Sequence, residues 1–286
     1  MNFLEAIFYY DFLQKALLTS AMVGIICGMI GCFIILRGMA LMGDAISHAV
    51  LPGVAISYLL GIPFFIGAVV SGVVTAVTIG FISQNSRIKQ DISIGIMFTS
   101  AFAFGILLIT GMKSSTDLYH ILFGNVLAVR TADMWATLGI GFVVFLSIVL
   151  FYKELLVSSF DKTMAQAYGL PVQWIHYILL VLLTMVTVAS LQTVGIILVV
   201  AMLITPAATA YLLTDRLWVM LYASALLGVI SSVAGLYISF TYNLASGAAI
   251  VLVSTLLFLL AFFLAPKQGL IWRRMRTYAN TEKGEI

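Results

Sequence analysis

Charge is the first thing that this sequence lacks. Only 9% of its 286 residues are charged, against roughly 25% in a typical soluble domain. The 14 Lys and Arg residues and the 11 Asp and Glu residues leave a net charge of +3, which is too little basic density for a nucleic-acid surface and too little charge for a disordered chain. Because 63% of the residues are hydrophobic, the partner that the composition predicts is a lipid bilayer.

Several catalytic motifs are also absent. The phosphate loop G-x-x-x-x-G-K-[ST] does not occur, so the chain is not expected to bind ATP in that way. Neither H-E-x-x-H nor G-x-S-x-G is found. The two cysteines, Cys27 and Cys32, fit neither a redox pair nor a zinc ribbon, and we interpret them as small core residues. An enzyme is therefore not expected.

What the sequence does contain is long uncharged runs. A bilayer core about 30 Å thick needs about 20 apolar residues per helix. By this measure the sequence predicts an all-α integral membrane protein with nine hydrophobic segments, or eight if one is short or re-entrant. The segments are 16–36, Gly38 to Leu60, a span from the turn at Gly61-Ile62-Pro63 to about Ser83, 92–112, 134–152, two within 163–214 that are separated near Gln192, and two within 217–266 that are separated at Tyr242-Asn243.

The basic residues predict the orientation, because cytoplasmic loops near the ends of spans carry an excess of Lys and Arg. If the tail that holds Arg273 is cytoplasmic, eleven of the fourteen basic residues lie inside, and the opposite topology inverts this ratio. We therefore expect the N-terminus outside and the C-terminus inside. The expected organisation is an extracellular segment 1–15 without a removable signal peptide, a transmembrane domain 16–266 and a cytoplasmic basic tail 267–286.

Ionisable groups inside a membrane are costly and usually functional. In the predicted Gly38–Leu60 segment these groups are Asp44 and His48, within LMGDAISHAVLPGVA. A spacing of four places both side chains on one helical face, so that a carboxylate oxygen and an imidazole nitrogen can bind one ion. This pair suits Mn²⁺, Fe²⁺ or Zn²⁺ better than calcium or magnesium.

Two prolines favour helix breaks near the same depth. Pro52 cannot donate to the carbonyl of His48, and Pro206 cannot donate to that of Met202, so each is expected to interrupt its helix. Discontinuous helices of this kind line transport sites. We therefore include Pro52, Met202, Thr205 and Pro206 as candidate pathway or helix-break residues. The alternative is that Asp44 caps a helix that begins after Gly43, that His48 is a core histidine and that both prolines are ordinary kinks.

Small residues recur at helical spacing in the first long segment. Gly24 and Gly28 form a G-x-x-x-G pattern, and Gly31 follows about one turn later. Such residues permit close approach of helices, either within the chain or between two copies. We interpret the pattern as a packing signal.

One predicted cytoplasmic stretch, residues 153–171, differs from the other connections, and we call it the coupling segment. Its sequence, KELLVSSFDKTMAQAYGLP, predicts a short helix with Asp161 at its N-terminus and Gly169 as its stop. The alternative interpretation is a simple interfacial connector.

Three stretches together are similar to the membrane permease of bacterial manganese/zinc/iron ATP-binding-cassette importers. They are LMGDAISHAVLPGVA, FDKTMAQAYGLPV and GIILVVAMLITPAATAYLL, and the resemblance extends from about residue 13 to Gln268, including HILFGNVLAV and the closing APKQ. It implies a type II importer-like bundle in the bacterial cytoplasmic membrane. It also implies a homodimer, two copies of a cytoplasmic ATP-binding subunit and an extracellular metal-binding protein.

The resemblance also assigns roles to residues. Asp44 and His48 match the family's metal-translocation motif, and Asp161, Ala165, Gly169 and Pro171 lie in or beside the stretch that matches its ATPase-coupling helix. No permanently bound cofactor is implied, because the divalent metal is the cargo. A proton-coupled secondary transporter or channel stays open as an alternative, since it can also use a buried Asp and His. Such transporters commonly carry internal repeats, and we find none here.

Overall fold

The computed structural model describes residues 3–111 and 126–265, and within these ranges the chain is helical, with no β-strand. A 3₁₀ turn at Val126–Ala128 lies between the sixth and the seventh α-helix. The α-helices are α1 (Phe3–Tyr9), α2 (Asp11–Leu36), α3 (Met42–Ala49), α4 (Leu51–Leu60), α5 (Phe64–Asn85), α6 (Gln90–Gly111), α7 (Thr131–Leu150), α8 (Tyr152–Phe160), α9 (Lys162–Ala167), α10 (Val172–Val194), α11 (Ile196–Leu213), α12 (Leu217–Tyr242) and α13 (Ser246–Leu264).

The described residues contain nine helical segments long and apolar enough to cross a membrane. Eight of them are single helices, and the ninth, Met42–Leu60, combines α3 and α4. This confirms the count of nine rather than eight. Because the number is odd, nine crossings place the start of α2 and the end of α13 on opposite sides of the membrane.

The predicted breaks between paired spans are found, one of them at a different residue. Gly61, which ends α4, and Asn243, which ends α12, both adopt the left-handed conformation. The break predicted near Gln192 is wrong by three residues, because Gln192 stays inside α10 and the chain turns at Gly195, where φ is +82°. A positive φ is available to glycine at little cost, and this decides where the helix stops.

Other boundaries shift by a few residues or lie outside the described ranges. Helix α2 begins at Asp11 rather than residue 16, and its first turn carries an ion pair from Lys15 Nζ to Asp11 Oδ2 at 2.6 Å. The predicted basic tail, residues 267–286, lies outside the described residues.

The nine spans divide into central and peripheral helices. The most hydrophobic windows of α2 and α10 are each 72% buried, whereas those of α6 and α13 are 17% buried. The outer faces carry many exposed large hydrophobic side chains, such as Leu107 at 70% and Leu252 at 70% exposure. Lipid is the environment in which such faces are stable. The fold therefore places α2 and α10 at its centre and α6 and α13 towards the bilayer.

Candidate metal site

Asp44 and His48 come together because both belong to the short helix α3. Their spacing of one turn places Asp44 Oδ1 3.6 Å from His48 Nε2. Two ligand atoms at about 2.0–2.2 Å from one metal ion can be up to about 4.4 Å apart. The observed separation therefore allows one ion to bind both side chains.

The position of this pair along the bundle follows from the packing of Ile46, which lies between them in α3, and of Val50. A Cβ built on Gly72 of α5 lies 2.7 Å from Thr184 Cγ2 of α10. The same Cβ lies 3.5 Å from Ile46 Cγ2 and 3.6 Å from Val50 Cγ2, so both of these side chains pack near Gly72 and Thr184. Gly72 and Thr184 are both near the middle of their own spans. The Asp–His pair is therefore level with residues near the middle of α5 and α10.

A cavity of about 490 Å³ lies beside α3, and we call it the α3 cavity. Asp44, His48 and Thr205 are its side chains with polar or ionisable groups, and its wall is otherwise apolar. A low-dielectric wall strengthens the attraction between a carboxylate and a cation. The remaining lining residues are Phe102, Ile196, Ile197, Val200, Ala201 and Ile204.

Two aromatic rings of α6 fix the His48 imidazole. The centroids of Phe98 and Phe102 lie 5.3 and 5.4 Å from the imidazole centroid, both in edge-on geometry. His48 Nδ1 is buried and has no hydrogen-bond partner among the described residues. The sequence alone did not identify either phenylalanine as part of the site. Their spacing of four marks one face of α6, but nothing local shows that this face meets α3.

The two predicted helix breaks have different outcomes. Helix α3 ends at Ala49, and Pro52 lies in the first turn of α4, so the helix is interrupted for one residue, Val50, before Pro52. The break at Pro206 is wrong, because Pro206 lies inside the continuous helix α11. Pro206 and Met202 are buried in α11 and are not among the described lining residues of the α3 cavity. Proline within a spanning helix is tolerated where neighbouring helices support it.

The capping alternative for Asp44 does not fit the observed helix start. Helix α3 begins at Met42 with Leu41 at the N-cap, so Asp44 is the third helical residue. Within the described ranges its carboxylate has His48 as its polar partner. Its position is that of a side chain directed into a cavity.

Within the described residues, Asp44 and His48 are the carboxylate and imidazole ligands that one chain offers at this site. Within the described residues no group of three or more His, Cys, Asp or Glu side chains could hold a metal ion. Ser and Thr hydroxyls and backbone carbonyls are the remaining oxygen donors, and Thr205 is the hydroxyl that lines the cavity.

The coupling segment forms the short helix that the sequence predicted. The Asp161 side chain caps α9 by accepting from the backbone N–H groups of Thr163 at 2.8 Å and Met164 at 2.9 Å. Gly169, with φ of +76°, ends it, and the Leu170 N–H donates to the Ala165 carbonyl at 3.1 Å. Both ends of this helix are therefore fixed by local sequence.

The coupling segment is attached on one side and exposed on the other. Ala165 is fully buried, whereas the side chains of Met164 and Tyr168 are 52% and 69% exposed. Pro171 follows as the N-cap of α10. The short helix therefore presents Met164 and Tyr168 on the side that faces away from the bundle.

Arg37 joins this end of the bundle to the coupling segment. Its Nε donates to Ser159 Oγ at 3.1 Å and its Nη2 donates to Ser158 Oγ at 2.8 Å. Burial lowers the pKa of Arg37 to about 10, so the guanidinium stays charged at neutral pH. The hydrogen bonds fix α8 against the end of α2.

Fold and site together define a polytopic membrane transport protein with an intramembrane Asp–His pair and a separate short helix outside the spans. The chain belongs to the ABC 3 transport family, whose pattern it matches over residues 9–265. It is therefore a permease of the ATP-binding-cassette type and a multi-pass protein of the bacterial cell membrane. This confirms the family and fold that the sequence motifs indicated.

Curated relatives match almost the whole chain. The manganese transport system membrane protein MntC of Halalkalibacterium halodurans is 65% identical over 275 residues, which cover 96% of this chain and 94% of the relative. The manganese import system permease protein ScaB of Streptococcus gordonii is 54% identical, with 96% of this chain and 99% of the relative covered. A solved structure, PsaBC from Streptococcus pneumoniae in complex with Fab, matches with a TM-score of 0.85 and 53% identity over 96% of this chain and 98% of that chain.

Proposed function

We propose that this chain is the membrane subunit of an importer that moves Mn²⁺ across the cytoplasmic membrane. The observation that carries the proposal is the Asp44–His48 pair, level with the middle of the bundle and open to the α3 cavity. A carboxylate with an imidazole suits Mn²⁺, Fe²⁺ or Zn²⁺. The relatives MntC and ScaB are named as manganese transport proteins, which favours manganese among these ions.

The working form that we propose is a homodimer. The Asp44 side chain is 46% exposed in the single chain although it lies level with the middle of the bundle. A carboxylate exposed to lipid at that level is costly. A second copy would cover it and supply another carboxylate and imidazole, which brings the donor set closer to six ligands.

The energy source in this proposal is a separate ATP-binding subunit in two copies, so that this chain itself catalyses no reaction. The exposed Met164 and Tyr168 side chains, beside the capped ends at Asp161 and Gly169, form the surface that would contact it. In this proposal the coupling segment lies on the cytoplasmic face of the membrane and the N-terminus lies outside. An extracellular metal-binding protein would deliver the ion to the opposite face.

Vesicles reconstituted with this chain and its ATPase, and supplied with the metal-binding protein, test the proposal against a proton-coupled carrier or channel. We expect ⁵⁴Mn²⁺ uptake that requires ATP and the ATPase and that continues when the proton gradient is collapsed. Uptake driven by a proton gradient alone would favour the proton-coupled carrier. Competition by unlabelled Zn²⁺ and Fe²⁺ in the same vesicles would measure the metal preference.

A further inference from the structure

A second cavity lies at the end of the molecule that carries the coupling segment, and we call it the Arg37 cavity. It has a volume of about 290 Å³ and lies among the end of α2, the α5–α6 junction, α9 and the first turns of α10. Its lining includes Arg37, Gln90, Lys162, Gln166, Gln173 and His176.

The charged side chains that line this cavity are both cations. Arg37 and Lys162 both line it, and none of the described lining residues is acidic. The ion pairs found among the described residues involve neither of these two cations. The partners of Arg37 are the hydroxyls of Ser158 and Ser159, which are neutral. The cavity therefore attracts an anion and repels a divalent cation.

Two of the lining residues, Gln90 and His176, each carry a buried side-chain nitrogen that has no hydrogen-bond partner among the described residues. His176, which is 7% exposed, has no hydrogen-bond partner for Nε2 among the described residues, and the same is true of Gln90 Nε2. The amide nitrogen of Gln is a donor only. Buried polar groups in native structures are normally hydrogen-bonded. Besides the two cations, the wall of the cavity is formed largely by polar side chains.

We propose that the Arg37 cavity binds a phosphate-type oxyanion, supplied by an anionic phospholipid headgroup or by free phosphate. Guanidinium, ammonium and amide N–H groups are the donors that such oxyanions use. The cavity lies where helices of spanning length end, at the level of lipid headgroups, and basic pockets between transmembrane helices bind such headgroups. Because Lys162 and Gln166 belong to α9, the bound anion would connect this helix to α2 and α10.

This proposal does not depend on which metal is transported, and its test uses binding alone. Native mass spectrometry of the purified full chain would be done with phosphatidylglycerol, with phosphatidylcholine as the zwitterionic comparison and with inorganic phosphate as a separate probe. Lys162→Gln removes one cation, and Lys153→Gln is the matched control, because Lys153 is exposed and lies outside the described lining of the cavity. Arg37→Gln is avoided as the main variant, because Arg37 also holds α8.

We expect one retained phosphatidylglycerol per chain, with an affinity at least about tenfold lower in Lys162→Gln, as for a lost charge-assisted hydrogen bond, and unchanged in Lys153→Gln. Binding of inorganic phosphate but not of phosphatidylglycerol, with the same dependence on Lys162, would support the site and identify free phosphate as its ligand. Equal losses in both variants would overturn the proposal in favour of diffuse surface charge. Binding of neither probe, with weaker ATPase association in Lys162→Gln, would overturn it in favour of a protein carboxylate.

Discussion

Gly24 of α2 lies directly against Gly228 of α12. A Cβ built on Gly24 would be 2.8 Å from the carbonyl carbon and oxygen of Gly228. Ser224 and Ser232 of α12 extend the contact by donating to the carbonyls of Gly28 at 2.8 Å and Ser20 at 2.9 Å. The G-x-x-x-G pattern of α2 thus forms a contact within the chain, and it fixes the helix that leads into Arg37 and α3.

This contact predicts that Gly24→Ala lowers the stability of the permease. The added methyl group meets backbone atoms, which cannot move aside as a flexible side chain can, and overpacking of this kind costs about 1–3 kcal/mol. Thermal unfolding in detergent measures the effect. Gly139→Ala is the control, because a Cβ on Gly139 meets nothing within 4 Å. Equal midpoints for the two variants would contradict the close contact.

Asp44→Asn should abolish metal uptake while leaving the fold intact. The amide keeps the shape of the side chain and removes the charge that attracts the cation, so we expect uptake in vesicles to fall at least about tenfold. His48→Ala should be impaired in the same assay. Asp91→Asn is the matched control, because this substitution makes the same chemical change at an exposed position in the first turn of α6. Near-normal uptake by Asp44→Asn would refute the ligand assignment.

Gly169→Val should weaken coupling to the ATPase. The position has open space, since nothing lies within 4 Å of a built Cβ, but its φ of +76° disfavours a side chain by about 1–2 kcal/mol. We expect less ATPase to co-purify, or ATP hydrolysis that is no longer linked to uptake, with metal binding retained. Gly139→Val introduces the same side chain at another open position, where the structure records no positive φ. If Gly169→Val couples as well as this control, the role of the coupling segment is wrong.

Two single cysteines test the orientation in a variant that lacks Cys27 and Cys32. Leu244→Cys lies between α12 and α13 and should react with an impermeant thiol reagent added to intact cells. Ser86→Cys lies between α5 and α6, beside the basic residues Arg87 and Lys89, and should react after permeabilisation only. Both positions are exposed. The reverse pattern would invert the topology.

Local features of this protein could be predicted from the sequence, because their causes lie within a few residues. Uncharged runs determine the spans, and the spacing of four brings Asp44 and His48 together on α3. Asp161 and Gly169 define the ends of α9 through hydrogen bonds and backbone geometry next to them. Even here, the break predicted near Gln192 lies three residues later, at Gly195. Glycine can adopt a positive φ at little cost, and this determined the end of the helix more strongly than the polar side chain of Gln192 did.

Other features depend on residues far apart in the sequence, and only the tertiary structure decided them. The walls of the α3 cavity combine α3 with Phe102 of α6 and Thr205 of α11, and the hydrogen bond from Arg37 to Ser158 joins residues 121 positions apart. In a chain where nearly every helix is apolar on all sides, hydrophobicity does not identify which faces meet. Small-residue contacts such as Gly24 with Gly228 select those faces, because they let backbones approach where larger side chains would not.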